Sequence, residues 1–260
     1  MYSFLTKILN VIAYICFLDT NLYIGLGPQN NKSPYSNTHS TYITPASFTF
    51  GIWGLIHLLL GGFVIYQFFT PTEEIVVEGI NWHFISISFW NTAWLVLWIY
   101  DFLILSCIAI LLAVCQFSYV YWILKLKYPP QKLDEQLWIH IPFYLYHAWI
   151  NVIFLLSAFA AFSPEKLTDQ EPSLFTKVLV FLGLFVLGVI AISYVEQFDS
   201  FGPIIIAWSL YGIAAGQEDE FIHWSAIVIG TISALYIFKP LIINYIIRRP
   251  DNIDAAPLIP

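Results

Sequence analysis

Charged residues in this 260-residue chain are confined to short stretches that separate long apolar runs. Only 10% of residues are charged and 59% are hydrophobic, against about 25% charged in an ordinary soluble domain. With a mean hydropathy of +0.74, too little polar surface exists to cover a soluble fold of this size. Inside a lipid layer the backbone must satisfy its own N–H and C=O groups, which leaves helices for segments of this length. The composition predicts an all-α, polytopic transmembrane helical bundle. The formal net charge of −7 excludes nucleic acid as a partner.

Windows of about 20 apolar residues predict eight spans, near 4–26, 46–69, 82–100, 102–125, 138–162, 174–195, 201–216 and 222–246. The first is interrupted by Asp19, Thr20 and Asn21, and the seventh is short. Only Asp101 separates the third from the fourth, so their connection must be tight; the count becomes seven if one of these segments fails to span. Lys7 precedes the first apolar run, but no small-x-small cleavage site follows, so that helix is expected to be retained. Lys125, Lys127, Lys132, Arg248 and Arg249 alternate onto the side of Lys7, which predicts that both termini are cytoplasmic. The 27–45 loop is long, polar and turn-rich, and carries the sequon Asn31-Lys32-Ser33 followed by Pro34. The short tail, 247–260, is expected to be a disordered cytoplasmic segment.

Polar and aromatic residues recur inside the runs at helical spacing. Ala46, Phe50, Trp53 and His57 share one face of the second span, and Asn91, Trp94, Trp98 and Asp101 one face of the third. His140, Tyr144, His147 and Asn151 do the same in the fifth, and Cys115, Tyr119 and Trp122 mark the fourth. A polar atom in hydrocarbon needs a partner, so these stripes are expected to face one another. Two readings follow: hydrogen-bonded glue between helices, or the lining of a pocket for a flat or elongated apolar ligand. Trp122, Trp138 and Trp224 lie near predicted helix ends and read as an interfacial belt.

The signatures of several enzyme classes are missing. The sequence holds no HExxH, GxSxG, Walker-type or GxGxxG element and no CxxCH. Cys16, Cys107 and Cys115 lie singly in apolar runs and form no metal or disulfide pattern. No catalytic or metal-ligating set is expected. His39 and His223 fall in or near loops, and Glu196 and Asp199 bracket a turn where they are expected to be exposed. Gly212-Ile-Ala-Ala-Gly216 is a small-residue pattern for close helix packing, within the chain or in a homodimer.

The run Pro45 to His57, the pair Asn91-x-x-Trp94 and the stretch Pro142 to Asn151 with Leu145 and Trp149 resemble blocks of the TspO/translocator-protein family, in the same order. The chain carries His57 where the family has Tyr, and Pro45 alone where it has two prolines. The resemblance covers about residues 5–162. It implies a five-helix core (1–162) followed by some three further helices (163–246), as in longer family members. It further implies a pocket under the first loop and a receptor or sensor for porphyrin, haem, sterol or other lipid. No resident cofactor is required. Porphyrin degradation is implied only by resemblance, and no enzyme activity is otherwise expected. Carried over residue by residue, the ligand-binding set is Phe50, Trp53, His57, Asn91, Trp94, Pro142, Leu145 and Trp149, with His147 and Asn151 added from the stripe of the fifth span. The alternative is a transporter of small hydrophobic or amphipathic solutes, with Asp101 or Glu196 coupling protons.

Overall fold

The computed structural model describes residues 2–28, 30–36, 38–69, 74–166, 171–239 and residue 242. Among them the chain forms eight long helices: α1 (Tyr2–Leu26), α2 (Ile52–Tyr66), α3 (His83–Ile99), α4 (Leu103–Leu126), α5 (Leu133–Phe162), α6 (Leu174–Glu196), α7 (Phe201–Gly216) and α8 (Glu220–Tyr236). No strand occurs among the described residues. Five segments are long and apolar enough to cross a membrane, namely α1, α2 with its lead-in, α4, α5 and α6; α3, α7 and α8 are shorter apolar helices. All eight expected spans are present as helices. The last, expected over 222–246, ends at Tyr236. Residues 243–260, with Arg248, Arg249 and the expected disordered tail, lie outside the described residues, as does Glu73.

Sequential neighbours pack together. α1 lies against α2 and α3, α3 against α4, and α4 against α5; α5 also touches α2 and α7. α6, α7 and α8 pack on one another and join the first five helices mainly through α5 and α7. Ion pairs tie this outer set at both ends. Lys177 at the start of α6 meets Asp219, the N-cap of α8, at 2.7 Å, and Lys239 beyond α8 meets Glu196.

Two corners are closed by the same device. After α3 the amides of Asp101 and Phe102 return to the carbonyls of Trp98 and Leu97 at 3.0 and 2.9 Å. Asp101 takes the left-handed conformation, φ 62°, that this closure demands. After α6 Phe198 does likewise at φ 58°, with the amides of Phe198 and Asp199 returning to Val195 and Tyr194. The tight third-to-fourth connection is thus observed, built on an aspartate where glycine is usual. In α5 a π-helical stretch, Gln136–His140, ends two residues before Pro142 and contains Trp138, the residue four before it. Proline has no N–H, and its ring crowds the carbonyl four residues back; the wider turn gives that ring room.

One largely buried segment ahead of α2 is not a regular helix and has a single backbone turn of its own, from the Thr44 amide to the Thr41 carbonyl at 3.1 Å. Residues 41–46 lead into a 3-10 turn, Ser47–Gly51, and α7 satisfies them from outside. The Ala46 amide donates to the Gly212 carbonyl at 2.9 Å. Gln217 Nε2 donates to the carbonyls of Thr41 and Thr44 at 3.3 and 2.6 Å, and Trp208 Nε1 to that of Thr49 at 3.1 Å. The approach is so close that a Cβ on Gly212 would sit 2.0 Å from Thr49 Oγ1, and one on Gly216 would sit 2.6 Å from the Ala46 amide.

The Gly212–Gly216 face packs on residues 44–49 of its own chain, the within-chain alternative of the two expected for it. Two expectations change here. Cys115, Tyr119 and Trp122 point outward; the inward face of α4 is Ala113, Phe117, Val120, Tyr121 and Leu124. In an all-apolar helix the buried side is chosen by shape, which the polar pattern did not mark. Asp199 is 2% exposed rather than solvated, because it accepts the amides of Phe201 and Gly202 at the start of α7.

Gly212→Val is expected to destabilise the protein by about 3 kcal/mol or more through overpacking, with earlier thermal unfolding in detergent and protease cleavage within 41–46. Gly51→Ala and Gly54→Ala, where an added Cβ meets nothing within 4 Å, should leave both readouts unchanged.

Candidate ligand site

The loop between α1 and α2 is compact. It forms two 3-10 turns, Asn30–Lys32 and Pro34–Ser36. The Ser36 hydroxyl donates to the carbonyls of Asn30 and Ser33, and Thr38 Oγ1 to that of Ser33 at 2.8 Å. Ser33, the third residue of the sequon, is buried in this knot. Tyr35 donates its hydroxyl to Asn21 Oδ1 on α1 at 2.8 Å. The end of α3 and the connection after α5 hold the far side. Trp98 Nε1 donates to Thr38 Oγ1 at 3.1 Å, and the Lys166 amide donates to the Ser40 carbonyl at 2.7 Å. Between them stands His39, φ 54°, with Nε2 2.9 Å from Asp101 Oδ1 and Nδ1 3.0 Å from Glu165 Oε1.

Beneath this lid lies a cavity of about 20 Å³. Its floor is Phe50, Trp94, Trp98 and Ser157, and its roof includes Thr38 and His39. Trp94 Nε1 donates to Ser157 Oγ at 2.9 Å, which fixes the indole. The volume suits about one water molecule. A drug-sized or tetrapyrrole ligand needs about 300–1,000 Å³, so the cavity as observed is too small for a porphyrin or haem.

Behind Phe50 the core becomes an aromatic box between α1, α2 and α5. Trp53 stacks on His57 at 5.4 Å and stands edge-on to Tyr146 at 5.4 Å and Trp149 at 6.1 Å. Phe17 of α1 closes it, 4.7 Å from His57 and stacked on Tyr146 at 5.8 Å. Phe50 meets Trp149 at 6.0 Å and Tyr35 of the lid at 5.4 Å, so the box is continuous with the lid. Its polar atoms have no hydrogen-bond partner among the described residues: Trp53 Nε1, Trp149 Nε1, the Tyr146 hydroxyl and both ring nitrogens of His57. Asn91 on α3, fully buried, has both ends of its amide in the same condition. Such orphans are rare in a finished core, and each costs about 1–3 kcal/mol.

A second polar cluster is fully paired. His147 is held by Ser118 Oγ at Nε2, 3.0 Å, and by the Tyr194 hydroxyl at Nδ1, 2.7 Å. Tyr121 stacks on His147 at 4.7 Å and donates its hydroxyl to Asp199 Oδ2 at 3.1 Å. Asn151 donates back to the His147 carbonyl at 2.7 Å. Further along α5, His140 joins Tyr144 at 3.2 Å and Glu135 at 3.4 Å. Burial pushes the Asp199 carboxyl up, against the pull of two backbone amides, Lys125 and the Tyr121 hydroxyl.

The ten residues expected to line one pocket therefore fall into separate places. Phe50 and Trp94 line the cavity; Trp53, His57 and Trp149 form the box with Phe50. Asn91 is buried and unpaired on α3. Pro142 and Leu145 are buried in α5 away from the cavity lining. His147 and Asn151 belong to the paired cluster against α4 and α6. Trp122 and Trp224 are exposed, as a belt requires, whereas Trp138 lies over Gly62. Sequence reasoning missed Phe17, Tyr146 and the His39–Asp101–Glu165 bridge. Tyr146 is one position off the α5 polar stripe, and Phe17 is one apolar residue among many.

Neither a curated protein sequence nor a solved structure matches the chain. A family model described as TSPO-like protein matches residues 7–239, a range that runs from α1 past the end of α8 and takes in both the first five helices and the three that follow. The chain belongs to the TSPO-like family and, with its apolar helices, is an integral multi-pass membrane protein.

Proposed function

We propose that this protein is a membrane receptor or sensor that takes an apolar ligand bearing oxygen acceptors, a tetrapyrrole, sterol or lipid, into the aromatic box beneath its first loop. The observation that carries this reading is the set of buried, unpaired polar atoms on Trp53, His57, Tyr146 and Trp149. Two indole N–H groups and a phenol O–H are donors, and neutral imidazole adds one more. Carboxylate, carbonyl or hydroxyl oxygens on a ligand are their natural partners. Entry requires the lid to lift, since the closed cavity is far smaller than the ligand. No resident cofactor is part of the proposal. The alternation of basic residues along the sequence supports cytoplasmic termini with the first loop on the opposite face.

A second reading, transport of a small amphipathic solute, is favoured by one specific observation: a buried carboxylate, Asp199, joined through Tyr121 to the polar cluster on α5. Transport coupled through this acid predicts that Asp199→Asn abolishes solute flux in proteoliposomes while leaving ligand affinity unchanged.

The receptor reading is tested by titrating the detergent-solubilised protein with protoporphyrin IX and following tryptophan quenching. One saturable site per chain is expected, weakened at least tenfold by Trp149→Leu; unchanged affinity would sink the box as the site. Tyr146→Phe separates binding from packing. It removes only an unpaired hydroxyl, so the unliganded protein should melt at the same temperature or higher, while affinity falls several-fold. Tyr194→Phe removes a paired hydroxyl and strands His147 Nδ1, and should destabilise by about 1–3 kcal/mol with affinity retained.

A further inference from the structure

Three loops meet at His39. Its own loop brings the imidazole, the α3–α4 corner brings Asp101, and the α5–α6 connection brings Glu165. The two carboxylates occupy opposite ring nitrogens at 2.9 and 3.0 Å. Carboxylates are acceptors only, so both contacts are hydrogen bonds only when both ring nitrogens carry protons. Neutral imidazole has one N–H; its other nitrogen would then point a lone pair at a carboxylate. The bridge as observed belongs to the imidazolium.

The position of the bridge gives it leverage. His39 and Thr38 are roof residues of the cavity, and the Trp98 indole beneath them donates to Thr38 and stands edge-on to His39 at 5.9 Å. Both His39 and Asp101 are non-glycine residues held at positive φ, 54° and 62°. That conformation costs about 1–2 kcal/mol at a residue with a Cβ. The backbone amide of Lys166, next to Glu165, binds the Ser40 carbonyl beside His39. Among the described residues, then, His39 pairs with two anions, Asp101 and Glu165.

We infer that His39 is a proton-operated latch on the lid: protonated, it clamps the first loop to Asp101 and Glu165 and shuts the route to the aromatic box; deprotonated, it releases one carboxylate and the lid opens. Imidazole is the side chain whose charge most readily changes near neutral pH, so proton binding favours the shut lid and proton loss the loosened one. As regulation of ligand entry this rests on the receptor reading above. As a property of the lid it does not, and the test needs no ligand.

The full-length protein, with its three cysteines replaced by alanine, carries Ala160→Cys on the cavity wall. N-ethylmaleimide labelling is timed at pH 5.5 and pH 8, with and without His39→Asn. Dividing the two rates at each pH cancels the intrinsic pH dependence of the thiol. The His39→Asn background should label at least tenfold faster at pH 5.5, and the ratio should fall toward one at pH 8. Equal ratios at the two pH values, or ratios of one at both, overturn the latch. Glu165→Gln supplies a sharper arm. An amide can donate to neutral Nδ1 while Nε2–H still donates to Asp101, so this variant should stay slow to label at pH 8. A purely structural role for Glu165 predicts the opposite, faster labelling. Where Ala160→Cys lowers the yield of folded protein, Leu156→Cys on the same wall gives the same readout. Loss of the latch with protoporphyrin binding intact, and the reverse, are distinct results.

Discussion

The hydrogen bonds from α7 to residues 41–49 hold the rest of the site in place. A non-helical segment inside an apolar bundle leaves N–H and C=O groups without water, at a cost of several kcal/mol for each group left unmet. Here Gly212, Gln217 and Trp208 meet them. The glycines let the two backbones touch, the glutamine reaches two carbonyls, and the indole caps a third. Because that segment is pinned, the 3-10 turn that follows it delivers Phe50 to the cavity and Trp53 to the box in fixed orientation. The outer helices are therefore part of the site's support, although none of the box residues comes from them.

The interior holds two kinds of polar chemistry within one bundle. Around His147 each polar atom of the imidazole has its partner, and the neighbouring tyrosines are bonded or stacked; this is what stable glue between α4, α5 and α6 looks like. Around Trp53 and His57 the rings are equally well packed, but the heteroatoms are left unpaired. Packing and hydrogen bonding are normally satisfied together. Their separation in the box is what distinguishes it from the paired cluster around His147.

Much of the architecture was legible before any coordinates. The eight helices follow from the apolar runs, and the sharp corner at Asp101 from the single residue between two of them. The inward stripe Asn91, Trp94 and Trp98 was marked by its spacing, and so was the line from Phe50 through Trp53 to His57. The stripe His140, Tyr144, His147 and Asn151 was real, yet it faces another cluster. Periodicity tells which residues share a face and is silent on which helix that face meets. For α4 the guide failed, because its three polar markers look outward and apolar shape decides the buried side. Contacts between loops distant in sequence, such as His39 with Asp101 and Glu165, leave no periodic trace at all.

The bonds between α7 and the segment ahead of α2 join residues 159 to 176 positions apart. A ribosome adds about 5–20 residues per second, so the partners of Thr41, Thr44 and Thr49 emerge on the order of ten seconds after them. Helices α2 to α5 are all made within that interval, before the residues that bond the segment ahead of α2. The nascent protein thus has an assembly order in which the segment ahead of α2 is fixed only once α7 has been made, with a delay set by the rate of translation.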